Sequence, residues 1–224
     1  MKTAVLLIGN VRTWEMCKDN FKETFSHLNP DIYISTSNIQ YNHHPYIRGK
    51  INDHTDYLLG NSVIEKMFSD LNVKHLEIED GTKGIDMSDL HPNFRELQTS
   101  FSQYQKFQRI MQVIEDSDVQ YDCVIKTRCD LILNPIEMID LSTNIIVDSG
   151  NVFPNDCIFV TNQKSMINMS NFIVDEFYDP KYPDSHLDAP HNLLKNSILQ
   201  EGLNIVTQKI MNHVIRKNGI KQYY

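Results

Sequence analysis

Lys126, Arg128 and Asp130 alternate through the stretch CVIKTRCDLIL, whose ends are apolar. Successive side chains of a strand point to opposite faces. An extended run would therefore put Val124, Lys126, Arg128 and Asp130 on one face and Ile125, Thr127, Cys129 and Leu131 on the other. The second set suits a core. The first gathers charge toward its C-terminal end, and burying such charges unpaired is costly. Two arrangements resolve the conflict. In one, the strand emerges into a site at its carboxyl end, where open α/β sheets bind ligands. There Asp130 could hold a divalent metal while Arg or Lys takes phosphate oxygens. In the other, Arg128 and Asp130 pair to close a turn after the strand. Spacing alone leaves both open.

The surrounding elements follow from periodicity. TAVLLIG (residues 3–9) is a continuous apolar run that ends in Gly-Asn, as a buried parallel strand before a turn would. Trp14, Cys17, Phe21, Phe25 and Leu28 then recur at helical spacing, and PDIYISTS (residues 30–37) is a second strand. This β-α-β opening predicts a parallel sheet with right-handed crossovers. Residues 39–56, which include Tyr41, His43, His44 and Tyr46, read as a polar surface loop; residues 62–71 form a helix and VKHLEIE (73–79) a third strand. Between Ser100 and Asp118, Phe101, Tyr104, Phe107, Ile110, Met111 and Ile114 make one apolar helical stripe. After residues 123–133 come two strands (144–150 and 151–162), a helix from Lys164 to Asp179, a loop, a helix from His191 to Gly202, a last strand (204–208) and a basic, aromatic tail. We expect one α/β domain with a partly mixed sheet.

Composition narrows the function. A chain of 224 residues suffices for one large domain. The formal net charge of −8 argues against a general nucleic-acid binder, which needs a basic footprint. Cys17, Cys123, Cys129 and Cys157 form no C-x-x-C pair, so we read them as reduced thiols rather than a zinc site. No stretch reaches membrane-span length, and a cytoplasmic protein is the expectation, in host cytoplasm if the source is viral. Oligomeric state is not legible.

YDCVIKTRCDLIL (121–133) resembles the segment of GT-A-type glycosyltransferases that carries the DxD motif. It takes the form seen in a divergent bacterial and viral branch, where Arg replaces the first Asp and the second is kept. AVLLIGNVRTWEMC (4–17) resembles that branch's first strand, Gly turn and Arg. NPDIYISTSN (29–38) resembles its second strand, and VFPNDCIFVTNQKSM (152–166) its Asn-Asp segment. Order and spacing agree over most of the chain. The resemblance implies a GT-A-like, Rossmann-related fold, a single domain over 1–224, with a central mixed, mainly parallel sheet flanked by helices.

It also implies a reaction and a site. A sugar would move from a nucleotide-diphosphate donor to an acceptor hydroxyl, on a glycan or another molecule. Mn²⁺ or Mg²⁺ would stabilise the leaving diphosphate. Asp130 would be the metal ligand, since phosphates and waters can supply the remaining oxygens. Arg128 would lie near the sugar or diphosphate as a fixed charge. Gly9, Asn10 and Arg12 would hold the nucleotide in the turn after the first strand. Gln103 and Lys106, three apart on a helix and so pointing the same way, would face the donor; a solvated face is the plainer reading. Asn155 and Asp156 would contact donor sugar or acceptor, with Asp156 a general base for an inverting reaction; a turn is the alternative. The branch usually has Pro-Glu before its last helix, and here it is Pro190-His191, so His191 is a metal ligand, an acceptor contact or a helix-start residue after Pro. Asp184 and Asp188 share that loop and could also face the acceptor. Two other readings compete: a non-catalytic nucleotide or glycan binder, and a phosphotransferase or phosphatase with Asp130 as nucleophile. The latter usually needs a second Asp where this chain has Ile132.

Overall fold

The computed structural model describes residues 1–11, 13–40, 57–136, 141, 145–148, 156–182, 184, 186–187, 189–215 and 221–223. β1 (Thr3–Ile8) has every residue buried. Ala4, Leu6 and Ile8 enter one core layer and Val5 and Leu7 the other, as a fully apolar run does when helices cover both faces of a sheet. α1 (Trp14–Phe25) brings Trp14, Phe21 and Phe25 onto the second layer and leads to β2 (Asp31–Ser37), which runs parallel to β1. A small antiparallel pair, β3 (Ile39–Gln40) with β4 (Tyr57–Leu58), follows. Residues 41–56 between them, which include His43 and His44 and were expected to form a polar surface loop, lie outside the described residues.

α2 (Asn61–Met67) adds Ile64 to the α1 layer, and β5 (Val73–Glu79) pairs parallel with β2. α3 (Gln98–Glu115) crosses the opposite face, and its whole expected stripe from Phe101 to Ile114 is buried. β6 (Cys123–Thr127) returns parallel to β1 on its other side. β7 (Leu131–Leu133), β8 (Ile145–Asp148) and β9 (Phe159–Thr161) follow, then α4 (Gln163–Tyr178), α5 (His191–Gln200) and β10 (Asn204–Thr207). Among the described residues the main sheet has seven strands, in the order β10-β8-β9-β6-β1-β2-β5. Only β9 runs antiparallel, to both β6 and β8. This is the mixed, mainly parallel α/β architecture expected from the sequence.

Three expectations need correction. Residues 123–133 are not one strand: β6 stops at Thr127, residues 128–130 turn, and β7 joins a separate sheet. The strand at 204–208 is not the last, because β11 (Met211–Ile215) and β12 (Lys221–Tyr223) follow it in the tail and pair antiparallel in the order β12-β11-β7. The helix begun at Asn61 ends at Met67, short of the expected Leu71.

Candidate active site

In the order β5-β2-β1-β6, the chain winds outward from β1 in one direction with α1 and α2 on one face. It then crosses by α3 on the other face to reach β6. The carboxyl ends of β1 and β6 are therefore the point where winding reverses, the usual crevice for a ligand in such a sheet. At the end of β1 the Gly9 N–H donates to the Ser35 carbonyl at 3.1 Å, and Gly9 has φ +120°. A side chain there would meet open space, so the demand for glycine comes from the backbone. Asn10 is half-buried beside it, and Arg12 lies outside the described residues.

At the end of β6 the two cations part. Val124 faces the α3 layer, and Lys126 shares that side with its ammonium fully buried. The ammonium donates to the Asp156 carbonyl and sits 5.5 Å from the Phe159 ring centre. Burial pulls its pKa down, and Asp156 and Cys157 work against that. Arg128, just past the strand, curls onto Asp130: Nε donates to Oδ1 at 2.9 Å and Nη2 to Oδ2 at 2.6 Å. The contact forms across the turn that follows β6, where the chain leaves the main sheet. Asp130 is 2% exposed, whereas the Arg128 side chain keeps 21% of its surface open. Burial works against the Arg128 charge, but Asp130 outweighs it and holds the guanidinium protonated.

Asp156 completes the cluster from just before β9, the antiparallel neighbour of β6. Gln103 on α3 donates to its Oδ2 at 3.1 Å. Burial pushes its carboxyl up, but the charges of Lys126, Arg128 and His191 and the Gln103 hydrogen bond prevail, leaving it below the usual carboxylate range. His191 opens α5 directly after Pro190, whose carbonyl accepts from the Tyr104 hydroxyl at 2.8 Å. Tyr104 thus ties the start of α5 to α3. Cys157 sits between the pairs: its thiol donates to Asp156 Oδ1 at 3.8 Å and takes Arg128 Nη1 at 3.6 Å. Beside them, Thr127 Oγ1 is buried without a hydrogen-bond partner among the described residues.

The structure thus brings Gln103, Arg128, Asp130, Asp156 and His191 into one neighbourhood. Lys106 is elsewhere. Gln103 and Lys106 do not serve one partner: Lys106 pairs with Glu79 at the end of β5 and donates to Ser102 Oγ at 2.7 Å. β5 is four strand positions from β9. Arg109 joins this second network through Glu79 and through Glu77 at 2.8 Å, and Ser35 caps Glu77 at 2.6 Å. The alternating Glu77 and Glu79 of VKHLEIE, facing Lys106 and Arg109 three apart on α3, were the available signal for it. Tyr104 and Cys157 were hidden because each reads as core by pattern. Asn155 and Asp188 lie outside the described residues. A concavity of about 520 Å³ lies at the opposite end of the sheet, against Thr3, Asn29 and Asp31, away from these groups.

No protein-family model and no curated protein sequence matches this chain. Solved structures do. A galactosyltransferase, LgtC, in complex with donor and acceptor sugar analogues, aligns over 91% of this chain and 73% of its own, at 10% identity with a TM-score of 0.52. An active-site mutant of LgtC aligns over 91% and 72%, at 8% identity with a TM-score of 0.54. The fold is of the GT-A type.

Such a fold raises the question of a divalent ion, and the side chains answer it poorly. Among the described residues no group of three or more His, Cys, Asp and Glu is placed to hold a metal. Both oxygens of Asp130 face one guanidinium. The two carboxylates here, Asp130 and Asp156, stand against Lys126 and Arg128, with His191 adding to the positive side at Asp156. A hard divalent ion needs an excess of oxygen ligands and negative charge, and the cluster as built has neither.

Proposed function

We propose that this chain, as one domain over 1–224, is a glycosyltransferase that moves a sugar from a nucleotide-diphosphate donor to an acceptor hydroxyl. The observation that carries the reading is the cluster of Gln103, Lys126, Arg128, Asp130 and Asp156 at the winding-reversal crevice. It lies in a fold similar to that of a galactosyltransferase solved with donor and acceptor sugar analogues. The nucleotide would lie along the Gly9–Asn10 turn, with Arg12 and Asn155 as further contacts, and the diphosphate against Arg128. The acceptor oxygen forms a bond to the anomeric carbon as the bond from that carbon to the phosphate oxygen breaks, and the electron pair leaves with the diphosphate. A carboxylate held below its ordinary range is a weak base but a strong hydrogen-bond acceptor. Asp156 would therefore grip a sugar or acceptor hydroxyl while charged, which favours passing the acceptor proton to the departing phosphate. Lys106, tied to Glu79 and Ser102 away from this cluster, is given no direct contact with the donor.

A nucleophilic role for Asp130 in phosphoryl transfer is disfavoured, since Arg128 engages both of its oxygens. The same closed pair supports a second reading, a binder that holds nucleotide or glycan without turnover. A thermal-shift panel of nucleotide sugars, with and without Mn²⁺ or Mg²⁺, separates these. A ligand at 100 times its Kd adds about 2.7 kcal/mol, roughly 5–10 °C for a domain of this size. A shift accompanied by release of nucleoside diphosphate supports the transferase, and a shift without release supports the binder. No shift with any nucleotide sugar overturns both.

A further inference from the structure

We propose that Arg128, oriented by Asp130, is the cation that receives the donor's diphosphate, and that this site binds it without a divalent ion. The inference rests on the reading of the crevice as a nucleotide-sugar site and departs from the metal expected at Asp130.

Three observations converge. Asp130 is buried and presents both oxygens to one guanidinium, so an ion at Asp130 would have to compete with Arg128 for a carboxylate that is already ion-paired. The carboxylates of the cluster are matched by Lys126 and Arg128 before any ligand arrives, so an incoming diphosphate meets neutralised rather than surplus negative charge. Arg128 also has capacity left. A guanidinium carries five N–H groups. Nε and one N–H of Nη2 go to Asp130, and one of Nη1 goes to the Cys157 sulfur at 3.6 Å. The remaining two belong to a side chain that keeps 21% of its surface open, directly past the carboxyl end of β6. A guanidinium fixed on one edge and free on another suits paired phosphate oxygens. Lys126 is fully buried and cannot offer this; its part is to hold the Asp156 backbone behind Arg128.

Calorimetry on the full chain tests this with UDP, GDP, CDP and ADP and the matching monophosphates. Each is titrated first in EDTA and then with Mn²⁺ or Mg²⁺. At least one diphosphate is expected to bind in EDTA within about threefold of its affinity with metal, and more tightly than its monophosphate. The double variant Arg128→Gln/Asp130→Asn keeps a neutral hydrogen-bonded pair. It is expected to lose about tenfold or more in diphosphate affinity while its monophosphate affinity holds. Diphosphate binding only in the presence of metal overturns the inference and leaves the transferase reading intact. Undiminished diphosphate binding by the double variant overturns the assignment to Arg128. Absence of binding under every condition removes the nucleotide site itself and both readings with it. The EDTA titration of the unaltered chain decides the metal question even if the variant fails to fold.

Discussion

Cys17, Cys123 and Cys157 are each pushed up to about 12, and Cys129 is raised further, with burial the largest cause in every case. The sequence reads all four as reduced thiols, and the structure buries every one of them, which carries a stability consequence. A group whose folded pKa is raised contributes stability that is whole below its unfolded value, here about 9.0, and that is lost as pH rises toward the folded value. Each such thiol weakens the fold by up to ~1.4 kcal/mol per pH unit across that window. The melting temperature should therefore fall steadily from about pH 9 upward, and iodoacetamide should label none of the four cysteines in the native state near neutral pH. A level melting curve through this range, or fast labelling, would contradict the burial described. Among the charged residues the sequence left two choices for Arg128 and Asp130, a site or a closing pair. The structure shows the pair, and its place at the crevice lets both hold. Nothing in the spacing could decide this, because it depends on where the strand stops.

Strand ends and caps are where element-level reading succeeds or fails. The long α3 stripe was legible because its apolar residues repeat at helical spacing over about four turns, from Phe101 to Ile114. The break after Thr127 was not, since CVIKTRCDLIL alternates smoothly and its β7 half is held by residues far away in sequence. The Leu133 N–H donates to Asn20 Oδ1 at 2.7 Å, and Leu131–Leu133 pair with β11. Deleting residues 211–224 would strip β7 of that partner directly beyond Asp130. It should lower both the melting temperature and nucleoside-diphosphate affinity, the latter by about tenfold or more; unchanged values would mean that β7 positions nothing. A contrasting change lies away from the crevice. Asn162 caps α4 by accepting from the Ser165 N–H at 2.9 Å. Asn162→Ala should cost about 1 kcal/mol, or roughly 2–4 °C, and leave donor binding unaltered.

At the scale of the molecule, the order β10-β8-β9-β6-β1-β2-β5 gathers residues from three distant stretches, Gln103, Arg128 with Asp130, and Asp156. The β-α-β opening announced the parallel half of this sheet. The antiparallel β9 that delivers Asp156 beside β6 was not announced, because three strand residues carry too little pattern to reveal direction. Among the described residues no helix is long and apolar enough to cross a membrane. Asp156 is the group on which the proposed transfer turns. It is 8% exposed and is held charged by neighbours from α3, β6, the turn after β6 and α5. The most direct test is nucleoside-diphosphate release from a panel of nucleotide sugars by the unaltered chain and by Asp156→Asn, with folding of both followed by circular dichroism. The account predicts release from at least one donor and a fall of about a hundredfold or more in the folded variant. Release from none of the donors, or an equal rate in the variant, would contradict it.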